Sequence, residues 1–324
     1  MERPPWRGCP AAAGVRILRM PIITPTRPNF YTGGRLDRAT HLRSDDAWVA
    51  QAFDDAASRF VVFWRGKTLI TDAGAPEPRA YYTAKPAADA PWAFLGRQDG
   101  TPFFAINLSH LDSPHEVVDL GESAFMDLRG VGGMLGADDA TLLATARAML
   151  HWRAQTKFCS VCGNANAASR GGYVMRCTAC KTEHFPRTDP AVIMLVTRND
   201  KLLLGQSHNF PVESNFFSTL AGFVEPGESL EDAVRREVFE EVGITVGAVH
   251  YHSSQPWPFP ASLMLGFYGE GLSDDIVLEP AEMRDARWFT PDEVRHCASF
   301  GFRVPPPQSI ARRLIDDWLN SRAG

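Results

Sequence analysis

The chain has 324 residues, enough for two domains, and its 44% hydrophobic and 22% charged content is that of an ordinary globular protein. A net charge of -5 argues against general nucleic-acid binding by a basic surface. Apolar runs stay well short of the ~20 residues that cross a bilayer, so we expect no membrane partner.

Residues 1–28 form a basic, proline-containing lead-in. They lack the ~7–15-residue apolar core of a secretory signal. We predict that residues 1–28 are disordered; a targeting peptide and a start at Met20 are the alternatives. Without an export signal we expect a cytoplasmic protein, in which cysteines favour metal ligation over disulfides.

Residues 29–150 are predicted to form an N-terminal α+β domain. Strand-like runs, such as RFVVFWRG and PFFAINLS, are separated by turns rich in glycine, proline and aspartate. The stretch 138–158 carries apolar residues near the helical period and predicts a helix that leads out of this domain. No nucleophile motif or phosphate loop occurs here, so we expect packing and dimerisation instead of catalysis.

Residues 151–187 hold two CxxC pairs in the pattern C-x2-C-x14-C-x2-C. Four thiolates at this spacing predict a closed tetrahedral site with no open position for a substrate. We therefore expect one structural Zn²⁺ per subunit; a redox or vacant site is the alternative. The predicted ligands are Cys159, Cys162, Cys177 and Cys180.

Residues 188–324 are predicted to alternate strands and helices. The stretch GFVEPGESLEDAVRREVFEEVGI, which begins at Gly222, contains the acidic residues that we consider as a candidate site. Ser229 is a good N-cap and Gly243 suits the position after the last helical residue. We predict a helix over Leu230–Val242.

The last turns of that helix place carboxylates on its apolar face. At 100° per residue, Glu237 and Glu241 continue the stripe of Val234 and Val238, and Glu240 lies beside it. Like charges four residues apart, near the negative end of the helix dipole, need a compensating cation. Mg²⁺ or a similar oxygen-preferring ion is the natural candidate. The alternative is a solvated acidic helix end.

The same stretch resembles the Nudix box in full. The resemblance implies an α/β (α+β) fold class: a C-terminal Nudix α/β/α sandwich with a mixed sheet, a small zinc ribbon and an N-terminal Nudix-like α+β domain. It implies Mg²⁺ or Mn²⁺ on Glu237, Glu240, Glu241 and the Ala221 carbonyl, with Glu282 as a fourth acid. It also implies structural support of the box from Gly222, Glu228, Arg236 and Gly243.

Three further segments resemble the NADH pyrophosphatase family of Nudix enzymes. SQPWPFPxS from Ser254 is similar to the family signature; by composition alone it is a rigid packing loop or a proline-rich ligand. PPPxSIA from Pro305 and the FPR segment after the cysteines are similar too, although the family usually has Tyr at position 185. The implied substrate-binding residues are Phe185, Phe223, Gln255, Pro256, Trp257, Pro258, Phe259, Pro260, Ser262 and Ala311.

The resemblance implies an enzyme that hydrolyses the diphosphate of NAD(H) to nicotinamide mononucleotide and AMP, as a homodimer. NAD-capped RNA is a second candidate substrate, with a basic groove built by Arg187, Arg312 and Arg313 to hold it. A Nudix hydrolase of ADP-ribose or dinucleoside polyphosphates is one alternative. A non-catalytic NAD-sensing Nudix module is another, although no box glutamate is missing.

Overall fold

The computed structural model describes residues 23, 25 and 27–322, except 73, 75–77, 88 and 120. The chain divides into two compact units. One, the N-terminal unit, consists of residues 30–188 and 256–262. The other consists of the described residues up to 29, 189–255 and 263–324; we call it the catalytic unit because it contains the glutamates that the sequence predicts to be catalytic. Most of the predicted disordered lead-in, 1–28, lies outside the described residues.

A five-stranded mixed sheet forms the centre of the N-terminal unit. Its strands run in the order β3-β4-β1-β2-β5, with β1 parallel to β4 and the other neighbours antiparallel. The elements are α1 (Asp46–Asp54), β1 (Arg59–Trp64), β2 (Lys67–Ile70), β3 (Trp92–Gln98), β4 (Thr101–Asn107), β5 (Ala124–Met126), α2 (Leu128–Val131) and α3 (Ala137–Gln155).

Successive apolar side chains of β1 point to opposite faces of the sheet, which explains why helices cover both faces. Val61 and Phe63 belong to the core that contains α3. Phe60 and Val62 point the other way and belong to the core that contains α1. Successive side chains of a strand face opposite sides, so the run FVVF requires cover on both. The predicted helix over 138–158 is confirmed as α3, which ends three residues earlier.

The cysteine-bearing segment folds as a small three-stranded antiparallel sheet within the N-terminal unit. Its strands, in the order β6-β7-β8, are β6 (Asn166–Ser169), β7 (Val174–Cys177) and β8 (Glu183–His184). Met175 of β7 packs with Met149 and Trp152 of α3. The segment is therefore attached to the helix that precedes it.

The catalytic unit is built on a second sheet, in the order β12-β13-β9-β10-β14, with β11 paired to β9. β10 is antiparallel to β9 and β14. The elements are β9 (Asp189–Arg198), β10 (Lys201–Ser207), β11 (Leu220–Phe223), α4 (Leu230–Val242), β12 (Val246–Trp257), β13 (Ser262–Gly271), β14 (Met283–Phe289), α5 (Pro291–Arg295) and α6 (Ile310–Asn320).

The buried strand β9 divides the core of this unit into two layers. Val192, Met194 and Val196 pack with α4. Ile193 and Leu195 pack with α6. The unit is therefore an α/β/α sandwich, as the sequence predicted, with α4 and α6 on opposite faces of the sheet. In the part of the chain that the structure describes, no helix has the length and apolar character needed to cross a membrane.

Candidate active site and zinc ribbon

The helix α4 begins and ends where the sequence predicts. The Ser229 hydroxyl accepts a hydrogen bond from the Asp232 N–H at 3.1 Å, which satisfies one of the free donors at the first turn. Gly243 follows the helix in the left-handed conformation, with φ of 71°, which a residue without Cβ adopts at no steric cost. These two local signals fix the orientation of the acidic side chains between them.

Arg236 donates hydrogen bonds to several members of the acidic cluster, which consists of Glu228, Glu237, Glu240, Glu241 and Glu282. Its guanidinium binds the Glu228 carboxylate through two hydrogen bonds of 2.8 Å. The same group donates to Glu237 and Glu240, each at 2.9 Å, and to the Phe223 carbonyl at 2.9 Å. The pairing lowers the pKa of Glu228. Arg236 therefore joins the strand β11, the turn that follows it and the end of α4.

Glu241 is the most deeply buried carboxyl of the cluster. Only 9% of the residue is exposed, and its Oε2 atom is buried with no hydrogen-bond partner among the described residues. Burial, followed by the charges of Glu237, Glu282 and Glu240, raises the pKa of Glu241 to about 8. A buried carboxyl oxygen without a donor is what a divalent cation would satisfy.

Glu237 also lies on the inward face, whereas Glu240 does not. The Glu237 side chain is 12% exposed, and burial is the main cause that raises its pKa. The Glu240 side chain is 50% exposed and reaches Arg236 from the rim. The predicted phase of the helix is therefore confirmed for Glu237 and Glu241.

Gly222 has no room for a side chain because Glu237 lies against its backbone. A Cβ placed on Gly222 would lie 1.8 Å from Cδ of Glu237 and 2.1 Å from both carboxylate oxygens. This close approach gives a physical reason for glycine at the first position of the box. Ala221, the residue before Gly222 in β11, is exposed.

Glu282 precedes β14 and is exposed, yet its charge acts on both Glu237 and Glu241. The structure thus places all four predicted acids in one electrostatic neighbourhood. Glu237 and Glu240 both accept from the same nitrogen of Arg236, which holds these two carboxylates near each other. Among the described residues, only the four cysteines form a group of three or more potential ligands with their atoms within 4.8 Å of one another.

The four cysteines come together as the sequence predicts. The Sγ–Sγ distances are 3.3 Å for Cys162–Cys180, 3.4 Å for Cys162–Cys177 and 3.7 Å for Cys159–Cys180. Tetrahedral Zn²⁺ with bonds of about 2.3 Å would hold sulfurs at similar separations. The Asn164 amide contacts the Cys162 sulfur at 3.6 Å, and hydrogen bonds from Asn164 are the main cause that lowers the pKa of Cys162 to about 6. The donor set therefore fits a zinc ion.

Gln255 is fully buried, and both ends of its amide are used inside the protein. Nε2 donates to the Gln308 carbonyl at 2.8 Å, and Oε1 accepts from the Ile310 N–H at 2.8 Å. Ile310 is the first residue of α6, so Gln255 satisfies a free donor of that helix from a distant strand. Ala311, the next residue, is buried as well.

The remaining residues of the signature belong to the N-terminal unit, where they form the loop 256–262. Trp257 and Phe259 pack on its core, with ring centroids 6.5 and 6.4 Å from that of Tyr31. Pro258 is buried, Pro260 is exposed, and Pro256 and Ser262 are half-buried. The loop therefore has both packed and accessible positions.

Phe185 and Phe223 are exposed aromatic side chains, with 47% and 61% of the residue accessible. Phe223 lies at the end of β11, beside the acidic cluster, and its carbonyl accepts from Arg236. Phe185 follows β8 in the other unit. Exposure of large apolar rings is consistent with a role in binding a flat ligand.

The predicted basic groove of Arg187, Arg312 and Arg313 is wrong in part. Arg313 is only 5% exposed and pairs with Asp317 at 2.5 Å. Arg312 pairs with Asp316 at 2.7 Å. Each arginine forms an ion pair with the aspartate four residues further along α6. The positive charges of both arginines are therefore already compensated.

Sequence reasoning missed a buried network between β12 and α6. His252 bonds to the Ser253 hydroxyl at 2.8 Å and to Asp317 at 3.0 Å. Burial is the main cause that lowers the pKa of His252. Asn29 donates to the Ser253 hydroxyl at 2.9 Å, and Arg313 donates to the Arg27 carbonyl at 3.3 Å. No local pattern links residues this far apart.

Arg147 of α3 was also missed, although the sequence carried a signal. It lies four residues after Leu143 and three before Leu150, so it is a charge on the apolar stripe of the helix. Its guanidinium donates to the Pro258 carbonyl at 2.7 Å and to the Gly66 carbonyl at 2.8 Å. Arg147 therefore fastens the loop 256–262.

Three domain families match the chain in succession. The NADH pyrophosphatase-like rudimentary NUDIX domain matches residues 57–152, and the NADH pyrophosphatase zinc ribbon domain matches 154–185. The NUDIX domain matches residues 187–309, which include every acid of the cluster.

Curated relatives cover most of the chain. An NAD-capped RNA hydrolase NudC of Stutzerimonas stutzeri is 40% identical over 86% of this chain and 96% of its own length. The NAD-capped RNA hydrolase of Schizosaccharomyces pombe is 31% identical over 92% of this chain and 96% of its own. The human NAD-capped RNA hydrolase NUDT12 is 44% identical over 56% of this chain, which spans 42% of that protein.

A solved NUDIX hydrolase from Nitrosomonas europaea is similar over 52% of this chain and 93% of its own. The TM-score is 0.41 and the identity 23%.

Proposed function

This chain belongs to the NUDIX hydrolases of the NADH pyrophosphatase type, and on that premise we propose that it hydrolyses the central diphosphate of NAD(H). Water adds to one phosphorus, and the bridging oxygen leaves with the other phosphate. The products are nicotinamide mononucleotide, oxidised or reduced, and AMP. The same bond in an NAD-capped RNA is the second proposed substrate, with AMP replaced by a 5′-monophosphate RNA.

The observation that supports the proposal most strongly is the burial of the Glu241 carboxyl. It is buried beside three other acids, and its Oε2 atom has no hydrogen-bond partner among the described residues. Carboxylates in this arrangement are costly unless a cation or a proton compensates them. Divalent ions bound between the cluster and a diphosphate would compensate these negative charges.

We propose that Glu237, Glu240, Glu241 and Glu282, with the Ala221 carbonyl, hold Mg²⁺ or Mn²⁺. When bound, such ions neutralise the diphosphate and lower the pKa of a coordinated water. Arg236 keeps Glu237 and Glu240 in place through the bonds described above. Gly222 lets Glu237 approach the backbone of β11. Among the acids, Glu241 is the proposed base because it is the most deeply buried and its Oε2 atom has no hydrogen-bond partner among the described residues.

The substrate-binding roles are proposals as well. Phe223 and Phe185 present exposed rings on which a base can stack. The loop 256–262 is proposed to shape the dinucleotide pocket. Gln255 is proposed to act through α6, because its amide is fully occupied within the protein. Ala311 follows the residue that Gln255 caps.

The Cys159, Cys162, Cys177 and Cys180 site is proposed to hold one structural Zn²⁺ per subunit. Four thiolates close the coordination sphere, so the ion would stabilise the ribbon and take no part in hydrolysis. A homodimer and a cytoplasmic location complete the proposal, together with the division of the chain into four parts at residues 28, 150 and 187.

A product assay tests the function directly. The purified chain is incubated with Mg²⁺ or Mn²⁺ and either NADH, NAD⁺, ADP-ribose or NAD-capped RNA, and products are identified by mass spectrometry. We expect AMP and nicotinamide mononucleotide, and turnover of ADP-ribose well below that of NADH. Equal turnover of the two would favour the ADP-ribose hydrolase, and binding of NAD⁺ without AMP release would favour a sensing module.

Glu241→Gln is the key variant. It keeps the size of the side chain but removes the charge, so we expect turnover to fall by at least about 10²–10⁴-fold, the range for a general base. The matched control is Glu231→Gln, an exposed acid in the first turn of the same helix. Near-normal activity of Glu241→Gln would refute the assigned site.

A further inference from the structure

We propose that the N-terminal unit carries a phosphate-binding surface for the RNA chain that follows an NAD cap. Arg65, Lys67 and Arg129 form this surface around the loop 256–262. The inference rests on the proposed function, because it assigns that loop to the dinucleotide. It gives the N-terminal unit a role in choosing between free dinucleotide and capped RNA.

Arg147 brings the parts of this surface together. One guanidinium reaches the Gly66 carbonyl at 2.8 Å and the Pro258 carbonyl at 2.7 Å. Gly66 is the turn between β1 and β2, and the exposed residues on either side of it are Arg65 and Lys67. Two cationic side chains are therefore presented beside the loop by an ordinary hairpin turn.

Arg129 supplies the third cation, also next to Phe259. Its guanidinium carbon lies 4.7 Å from the centre of the Phe259 ring, and that of Arg147 lies 5.1 Å from it. Arg129 is exposed and forms no ion pair with a described residue. A guanidinium held over an aromatic ring keeps its charge and its donors available to a ligand.

The local charge differs in sign from that of the whole chain. Arg65 lies 4.7 Å from the centre of the Trp64 ring, and its nearest acid is Asp112, at 3.5 Å and fully exposed. Asp127 is the acid whose charge acts on Arg147. Among the described residues, Arg65–Asp112 is the one ion pair that these four cations form, so most of their positive charge is not paired, although the chain carries -5 overall.

An RNA chain is the ligand that this surface fits. Each nucleotide after the cap adds one phosphate, whereas NADH has no phosphate beyond those of the dinucleotide. Single strands are bound by cations along the backbone and by stacking of bases on aromatic or guanidinium planes. Arg129, exposed and held over the Phe259 ring, offers both a cation and a guanidinium plane. A surface of this kind would serve capped RNA and leave free NADH unaffected.

The test compares a triple variant, Arg65→Gln/Lys67→Gln/Arg129→Gln, with the unaltered chain. Arg147 is left in place because it fastens the loop. The matched control is Arg38→Gln, an exposed cation next to Asp37, which bridges to Arg97 of β3. The pairing of β3 with β4, and of β4 with β1, puts Arg97 beside the start of β1, at the far end of the strand from Arg65.

We expect kcat/KM for an NAD-capped 20-nucleotide RNA to fall roughly tenfold in the triple variant, while kcat/KM for NADH stays within twofold. The slope of log affinity against log salt should become shallower by about 2, at about 0.7 for each phosphate contact on a single strand. An equal loss for both substrates, or a loss no larger than that of Arg38→Gln, would overturn the proposal.

A binding experiment separates this proposal from the proposed function. Fluorescent NAD-capped RNA is titrated into the full-length Glu241→Gln protein, with and without the triple change, and anisotropy is measured. Weaker binding in the presence of the triple change supports the surface even if no chain hydrolyses the RNA. Unchanged binding overturns it even if NADH is hydrolysed as expected.

Discussion

At the scale of single residues, a proton can take the place of the metal ion that we propose for Glu241. In the metal-free chain, burial and the neighbouring acids raise the pKa of Glu241 from its ordinary value of 4.5 to about 8. Between these pH values the folded, metal-free protein holds a proton that the unfolded chain has released. The unfolded state then binds fewer protons, so the free energy of unfolding falls as pH rises from about 5 to about 8.

Glu241→Gln should flatten that pH dependence. Thermal unfolding in buffer without Mg²⁺ or Mn²⁺ should give a midpoint that falls less steeply between pH 5 and pH 8 than in the unaltered chain. Glu231→Gln should keep the steeper slope. Parallel slopes for all three proteins would show that Glu241 titrates normally.

Gly222→Ala should disable the site through Glu237. The added Cβ would lie 1.8 Å from the Glu237 carboxyl carbon, so the carboxylate must move away from β11. We expect turnover of NADH to fall by at least about tenfold, because small displacements of catalytic groups are costly. Gly136→Ala, where a Cβ meets nothing within 4 Å, is the control. Full activity of Gly222→Ala would contradict the close approach.

At the scale of elements, α6 shows how a helix is capped by both local and distant residues. The Ser309 hydroxyl accepts from the Arg312 N–H at 3.2 Å, and Gln255 accepts from the Ile310 N–H. The Gln255 amide also donates to the Gln308 carbonyl, so removing this amide leaves two backbone groups without these partners, and the Ile310 N–H among them is buried.

Gln255→Met should therefore destabilise the protein more than Ser309→Ala does. We expect losses of about 1–3 kcal/mol and about 1 kcal/mol in the free energy of unfolding, measured with urea. A direct substrate contact would instead raise KM for NADH and leave the urea midpoint unchanged. Urea unfolding and the KM for NADH, measured on the same variant, thus distinguish a structural role of Gln255 from a direct substrate contact.

Cys177→Ser should release the zinc ion from the ribbon. Metal analysis should give about one Zn²⁺ per unaltered chain and close to none in the variant, because a structural site needs all its thiolates. Cys297→Ser is the control, since Cys297 lies in the catalytic unit, outside the cysteine group. Equal zinc content in Cys177→Ser and the unaltered chain would remove the zinc ribbon.

Elements with strong local signals could be predicted from the sequence, and long-range contacts could not. The bounds of α4 are as predicted because Ser229 and Gly243 mark both ends. The four cysteines are assignable from their spacing alone. In contrast, Gln255 bonds to residues that lie far along the chain, at the start of α6, and its substrate role is inferred from a motif. A motif identifies which residues matter but does not say what each one touches.

At the scale of the whole molecule, Asn29 shows that the catalytic unit includes residues from the start of the chain. Its amide donates to the Ser253 hydroxyl at 2.9 Å and to the Ser254 carbonyl at 2.8 Å, and it is 8% exposed. This contact extends the His252–Asp317 network to a segment that precedes the N-terminal unit in sequence. No local sequence pattern indicates such a contact.

Asn29→Ala should destabilise the catalytic unit. Removing the amide takes one hydrogen bond from the Ser253 hydroxyl and one from the Ser254 carbonyl, and we expect a loss of about 1–3 kcal/mol in the free energy of unfolding. Hydrogen exchange followed by mass spectrometry should show the faster exchange in β12 and α6. Faster exchange confined to the N-terminal unit would contradict the assignment.

The order of segments along the chain has a consequence for biosynthesis. A nascent polypeptide released from the ribosome only as far as residue 188 still lacks Trp257 and Phe259, which pack against Tyr31 in the core of the N-terminal unit. That unit therefore completes its core only after most of the sheet of the catalytic unit has been translated. The two units should mature together, late in synthesis, instead of one after the other.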